Sequence, residues 1–107
     1  MTLEELKKNY CGMTRGIAAA IEKDEGRTRA YVMKCLQRVF RGDFGELDAE
    51  YVQANLDELA AGEGRLLCRY KAAESLEEDI YIIAAFSKSM PDSLDANNTM
   101  ILYRSEY

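Results

Sequence analysis

The spacing of the apolar residues changes at Gly64, and this change limits the fold more than any other feature of the chain. Ahead of Gly64, apolar residues recur with the period of an amphipathic helix. Beyond it, Leu66, Cys68 and Tyr70 alternate with their neighbours, which is the period of a strand. A run of helices that is followed by a run of strands predicts an α+β fold.

Three core helices are predicted ahead of the change: 15–24, 27–41 and a third that follows Asp48. The second of them has the clearest apolar stripe, which consists of Val32, Cys35, Leu36, Val39 and Phe40. We expect 10–14 only to interrupt the helices, because Gly12 acts as a breaker.

Start and stop signals define the bounds of these helices. The hydroxyl of Thr14 and the carboxylate of Asp48 can each accept a hydrogen bond from an unpaired amide of the helix that follows. We expect Gly26 to separate the first helix from the second, and Gly62 and Gly64 to end the third.

Strands are predicted at 65–71, 80–86 and 100–104, with no crossover helix between them. Consecutive strands of this kind pair antiparallel. The sequence therefore predicts a single α+β domain over 1–107, in which about three N-terminal helices pack on one face of a C-terminal three-stranded antiparallel β-meander.

The segment 80–86 is apolar almost throughout, which favours the central position in the sheet. Strand alternation places Ile80, Ile82 and Ala84 on one face and Tyr81 and Ile83 on the other. We expect the face of Ile82 to be the one that the helices cover.

The chain contains no histidine, and this absence removes several classes of site. Histidine is the common proton shuttle, the usual base beside a serine or cysteine nucleophile, and a frequent metal ligand. Cys11, Cys35 and Cys68 form no closely spaced pair, so neither a zinc site nor a redox motif is indicated. We expect no enzyme activity, no cofactor and no metal, with Cys35 and Cys68 as core thiols and Cys11 exposed.

Charge is distributed unevenly along the chain, whose net charge is −5. Residues 1–41 carry nine basic against five acidic side chains, whereas 42–107 carry five against fourteen. We expect the acidic residues of two connections to form one surface at one end of the sheet and to bind a protein with a basic surface. These residues are Glu74, Glu77, Glu78, Asp79, Asp92 and Asp95. The alternative interpretation is that charge merely keeps these connections soluble.

A second candidate is the basic face of the helix over 27–41. Helical spacing puts Arg27, Lys34, Arg38 and Arg41 on one side, where they could follow the phosphates of a nucleic acid. The alternative is an ordinary solvated helix face. The acidic net charge and the lack of interleaved aromatic residues favour that alternative.

The segment Gly42-Asp43-Phe44-Gly45 predicts a turn in which Asp43 bonds local amides and Phe44 enters the core. The functional alternative for this segment is a binding loop. Its overlap with an Arg-Gly-Asp tripeptide is interpreted as chance.

Several short motifs occur in an order that resembles a family of uncharacterised short "plasmid-related" proteins from mobile elements of Gram-positive gut bacteria. They are Thr14-Arg15-Gly16, Gly42-Asp43-Phe44-Gly45, Asn55, Gly64-Arg65-Leu66-Leu67, Ile80 to Ile83, and Glu106-Tyr107. The chain departs from the family in having Phe44 in place of Trp and in its longer connections. The resemblance implies a mobile-element setting and brings no established activity.

We therefore expect a cytoplasmic accessory protein of a mobile element that acts by binding a protein, such as an inhibitor or modulator of a host nucleic-acid-handling or defence system. The first alternative is a nucleic-acid-associated regulator that uses the basic helix face, and a further alternative is an enzyme whose carboxylate chemistry carries no recognisable motif. No apolar run approaches the roughly 20 residues that a membrane span needs, and no export signal is evident, so no membrane contact is expected.

Overall fold

The computed structural model describes residues 1–73 and 76–107. Its elements, in chain order, are a 3-10 helix (Glu4–Lys8), β1 (Tyr10–Met13), α1 (Arg15–Lys23), α2 (Glu25–Phe40), α3 (Ala49–Ala61), β2 (Glu63–Tyr70), β3 (Ile80–Ser87), β4 (Asn98–Tyr103) and a second 3-10 helix (Arg104–Glu106). The strands form one mixed sheet in the order β1-β4-β3-β2. The fold class is therefore α+β, with the helices ahead of most of the sheet.

The predicted three-stranded antiparallel meander is wrong, because the sheet has a fourth strand that runs parallel to its neighbour. β1 lies in the segment that was expected only to interrupt the helices, and it places Gly12 opposite Met100 of β4. The other two pairings are antiparallel, as predicted, and β3 is an interior strand. A four-residue strand that contains a glycine has too short an alternating pattern to recognise, and β4 supplies the hydrogen-bond partners that define it.

Two predicted helix bounds are also wrong. Gly26 lies inside α2, and the break between α1 and α2 occurs at Asp24, whose φ of −148° and ψ of 72° are not helical. Gly62 ends α3 with a φ of 78°, as predicted, but Gly64 belongs to β2. Thr14 precedes α1 without capping it, because its hydroxyl donates to Glu106 Oε1 at 2.6 Å instead.

The hydrophobic core lies between the helices and one face of the sheet. On β3, Ile80, Ile82 and Ala84 are at most 1% exposed, so the predicted buried face is confirmed. The helices contribute buried residues such as Ile17 of α1 and Val32 of α2 to the same cluster. Burial of this one continuous face holds the helical layer on the sheet.

Two segments ahead of β2 in the chain form hydrogen bonds to its outer edge. The side-chain amide of Asn55 in α3 donates to the backbone carbonyl of Leu67 at 2.9 Å, and the backbone amide of Leu67 donates to Asn55 Oδ1 at 3.1 Å. Further along the strand, the Arg69 amide donates to the Phe44 carbonyl and its carbonyl accepts from the Glu46 amide. These bonds satisfy groups that an edge strand otherwise presents to another chain.

The turn 42–45 has the structural role that the sequence predicts. Asp43 accepts a hydrogen bond from the Gly45 amide at 3.2 Å, and Phe44 is 4% exposed. Arg38 of α2 donates to Asp43 at 2.7 Å and lowers the pKa of its carboxyl group. The turn thus links α2, through a side-chain bond that charge strengthens, to β2, through backbone bonds.

Candidate functional site

The second face of the sheet combines apolar and aromatic side chains outside the main core. Residues that pair across strands share a face, so the register assigns Leu67, Ile83, Met100 and Leu102 to this face. Leu67, Ile83 and Met100 are partly exposed, and Leu102 is buried, yet all four lie outside the core that the helices form. We call this surface the open face.

Tyrosines surround the open face. Tyr81 of β3 lies on it, and the ring of Tyr107 packs edge-on against Tyr81 with the ring centroids 5.7 Å apart. Tyr10 of β1 lies on the same face at the opposite edge, and Tyr51 of α3 borders it beside β2. Tyr10, Tyr51 and Tyr107 are each more than half exposed.

Three arginines lie on the same surface. Arg65 and Arg69 lie on either side of Leu67 on the open face of β2, and Arg104 follows β4. The guanidinium of Arg65 donates to the Tyr107 hydroxyl at 3.4 Å. Arg69 pairs with Asp79 at 2.9 Å, whereas Arg104 is exposed. Arginine and tyrosine combine apolar area with hydrogen-bonding groups, so they are suited to contact with a protein surface.

A shallow cleft lies where α3 meets the open face, and its volume is about 210 Å³. Its lining residues are Glu46, Leu47, Asp48, Tyr51, Leu67, Arg69, Tyr81 and Arg104. The margin of the open face at this point therefore carries charges of both signs.

The predicted acidic residues that the structure describes lie at two opposite ends of the sheet. Glu77, Glu78 and Asp79 precede β3, whereas Asp92 and Asp95 lie in the connection that follows it. The eight residues of β3 separate the two groups by about 23 Å along the strand. Glu74, the remaining predicted residue, lies outside the described residues.

Two carboxylates of the first group bond to neighbouring parts of the fold. Glu78 accepts hydrogen bonds from the amide and hydroxyl of Ser105, at 2.6 and 2.9 Å. Asp79 accepts from the Ala72 amide at 3.0 Å as well as from Arg69. Burial opposes the charged form of Asp79, but these bonds outweigh it and lower the pKa of its carboxyl group. These hydrogen bonds within the fold thus give a structural reason for a carboxylate at both positions.

Asp92 lies at the other end of the sheet, in a broad depression of about 520 Å³. Lys8 and Lys88 line the same depression, together with the apolar side chain of Leu94. Asp92 therefore shares this depression with basic side chains and with Glu5, and it lies away from the acidic residues that precede β3.

The predicted basic residues lie on α2 and directly after it, and Arg27, Lys34 and Arg41 are exposed. Arg38 has a different environment, because it pairs with Asp43 and its guanidinium lies 4.8 Å from the centre of the Tyr70 ring. Three of the four predicted residues are therefore exposed to an external contact, whereas Arg38 has partners within the fold.

The three thiols lie where the sequence predicts. Cys35 and Cys68 are buried and Cys11 is exposed. Burial raises the pKa of the Cys68 thiol to about 12 and also raises that of Cys35. Both groups are protonated and unreactive near neutral pH.

The motifs that carry the family resemblance form contacts within the fold. Thr14 bonds to Glu106, and a side chain at Gly16 would collide with the Glu106 carboxylate. Asn55 bonds to Leu67, and the turn 42–45 bonds to α2 and β2. Local structural contacts therefore account for these motifs.

Sequence reasoning missed the open face as a site. The signal was present in 80–86, because a strand that is apolar on both sides must either be covered twice or leave one apolar side exposed. Helices were expected on one face only, and that expectation already left Tyr81 and Ile83 without a cover.

Comparison with known proteins adds no relative, since no family, curated protein or solved structure matches the chain. Within residues 1–73 and 76–107, no set of three cysteine, aspartate or glutamate side chains is arranged to hold a metal ion. None of the helices described is both long and apolar enough to cross a membrane.

Proposed function

We propose that this chain acts by binding a protein, and that the open face is the contact surface. The observation that carries the proposal is the combination of a partly exposed apolar centre with a margin of tyrosine and arginine. Protein interfaces typically have this composition, with an apolar centre and aromatic and arginine residues as the main contributors to affinity.

The proposal moves the contact away from the acidic connections. Glu78 and Asp79 already bond to Ser105, Arg69 and Ala72, so a partner would compete with those bonds. The open face requires no such exchange at Ile83 or Met100. The wider role as an accessory protein of a mobile element, modulating a host nucleic-acid-handling or defence protein, is retained as part of the proposal and rests on the resemblance.

A photo-crosslinking amino acid at position 83 tests the proposal in living cells. Ile83 lies in the middle of the interior strand, so a protein that covers the face must approach it. We expect irradiation to give a discrete covalent adduct with a protein. The matched control carries the same amino acid at Lys34, which is exposed on α2, and we expect no adduct of the same mass there.

The outcomes of this experiment separate cleanly. An adduct formed equally from positions 83 and 34 would show non-selective contact and would contradict the proposal. If both variants are expressed at the same level and position 83 gives no adduct, the proposal is contradicted as well.

The exposed basic residues on and directly after α2 support a second candidate, which is nucleic-acid binding. Arg27 and Lys34 of α2 and Arg41 directly after it extend over about 20 Å, which is long enough to contact several phosphates. Three such contacts predict that the logarithm of the binding constant falls with that of salt at a slope of about −2 to −3. Titration of labelled single-stranded and duplex DNA at several salt concentrations tests it. Undetectable binding at low salt would remove this candidate.

A further inference from the structure

We infer that the protein covering the open face is a second copy of this chain, so that two sheets pack face to face between two outer layers of helices. The inference rests on the proposed function, because it names the partner for the same surface.

The accessible surface of the chain supports a missing contact of the size of a standard protein interface. The accessible surface is 6612 Å², whereas a compact monomer of 12.1 kDa exposes about 6000 Å². The excess of about 600 Å² is at the lower end of the roughly 600–1,000 Å² per partner that a standard stable interface buries. The molecule is also flat, with extents of 40 × 30 × 22 Å, because only one layer of helices covers the sheet.

The shape of the open face suits another face of the same kind. Along each strand every second residue lies on it, so Leu67, Ile83 and Met100 form a low apolar surface across three adjacent strands. Two such faces pack about 10 Å apart in a sandwich, and their side chains interdigitate. A two-fold axis near Ile83 would bring the same apolar residues of both copies together.

The charges at the margin permit this self-contact. Arg69 pairs with Asp79, and Arg69 and Arg104 line the same cleft as Asp48, which lies just before α3. Because both signs are present, two copies do not bring margins of one sign together. A face with arginines alone would instead favour an acidic partner of a different kind.

Pairing through strand edges is less favourable than pairing through the open face. Asn55 and the turn 42–45 bond to the outer edge of β2. The outer edge of β1 offers only the four residues Tyr10–Met13. A short edge strand gives few hydrogen bonds to an added strand.

Sedimentation velocity over a micromolar-to-millimolar concentration series tests the inference on the full chain. We expect the wild type to reach twice the mass of 12.1 kDa. The substitution Ile83→Arg should weaken dimerisation by at least about 100-fold, because two-fold symmetry places the new charge in the interface twice. The matched control Met33→Arg introduces the same side chain at an exposed position of α2 and should dimerise like the wild type.

Salt supplies an independent readout. Each copy carries a net charge of −5, so the two copies repel at long range and salt screens that repulsion. We expect dimerisation to strengthen by a few-fold as salt increases. Binding that weakened with salt would instead indicate a charge-driven contact and would overturn the apolar model of the interface.

A cysteine at the centre of the face keeps the test informative if Ile83→Arg does not fold. In the background Cys11→Ser, the milder substitution Ile83→Cys should give a covalent dimer with a short bis-maleimide. A wild-type dimer that is linked through Cys11, or one that persists in Ile83→Arg, would place the contact at another surface and overturn the inference.

The two proposals can fail separately. A chain that stays monomeric at every concentration overturns the second-copy inference. If position 83 then still crosslinks to a different protein in cells, the proposed function stands with that protein as the partner. If position 83 crosslinks to nothing, both proposals fail.

Discussion

Replacing Asn55 with alanine tests how the edge of the sheet is held, because this one side chain bonds both polar groups of Leu67. Asn55 is 4% exposed, so few water molecules can take its place. An unsatisfied buried donor or acceptor costs about 1–3 kcal/mol. Leu67 is only partly buried, so the lower half of that range applies to each group. We expect Asn55→Ala to lower the free energy of unfolding by about 2–4 kcal/mol.

Thermal unfolding followed by circular dichroism measures this effect. For a chain of this size, roughly 4 °C corresponds to 1 kcal/mol, so the melting temperature should fall by about 8–16 °C. Hydrogen exchange at the Leu67 amide should become faster, because its acceptor is lost. The control Gln53→Ala removes an exposed bond to Asp57 on the same helix and should change the free energy of unfolding by less than about 0.5 kcal/mol.

The substitution Asn55→Asp separates the two hydrogen bonds. The new carboxylate can still accept from the Leu67 amide, but it cannot donate to the Leu67 carbonyl and repels it. We expect an intermediate loss near neutral pH. The loss should shrink at acid pH, where a protonated carboxyl group can donate again. A melting temperature of Asn55→Ala within about 2 °C of the wild type, with the Leu67 amide still protected, would refute the assigned role.

Other substitutions test the core, the turn, the C-terminal contact and the thiols. Ile82→Ala should cost about 2–5 kcal/mol by chemical denaturation, and Ile83→Ala on the open face clearly less in the monomer; equal losses would contradict the assignment of faces. Gly45→Ala should fail to give a native spectrum or melt far lower, because φ is 83° and the added carbon would overlap the Arg69 carbonyl. Hydrogen bonding, first of all from Thr14, lowers the pKa of Glu106. The stabilising effect of the Glu106 carboxylate is therefore present above about pH 4.3 and is lost as the pH falls through the lowered value. Glu106→Gln should flatten that part of the curve of unfolding free energy against pH, and an unchanged curve would exclude the contact. In undenatured protein, a thiol reagent should label Cys11 alone, as mass spectrometry of digested protein would show, and rapid labelling of a second cysteine would contradict the core packing.

The sequence by itself determined those features that depend on a long repeated pattern. The stripe from Val32 to Phe40 predicted a helix with one buried side, and the short apolar run at 80–86, rich in strand-forming residues, predicted a strand with Ile82 on the buried face. The turn 42–45 was predictable as well, because glycine and aspartate have specific backbone and hydrogen-bonding properties that act within a few residues.

Only the tertiary structure decided which distant segments meet. β1 is a strand because β4, almost ninety residues away, offers its edge, and nothing within Tyr10–Met13 encodes that partner. Likewise, Asp79 and Asp92 both lie in acidic connections, but the length of β3 separates them. The acidic residues counted along the chain therefore do not lie on one surface. The open face is decided in the same way, since its exposure depends on where three helices pack. Local patterns follow from the covalent geometry of neighbouring residues, whereas strand order, surface charge and uncovered faces follow from contacts that exist only once the chain has folded.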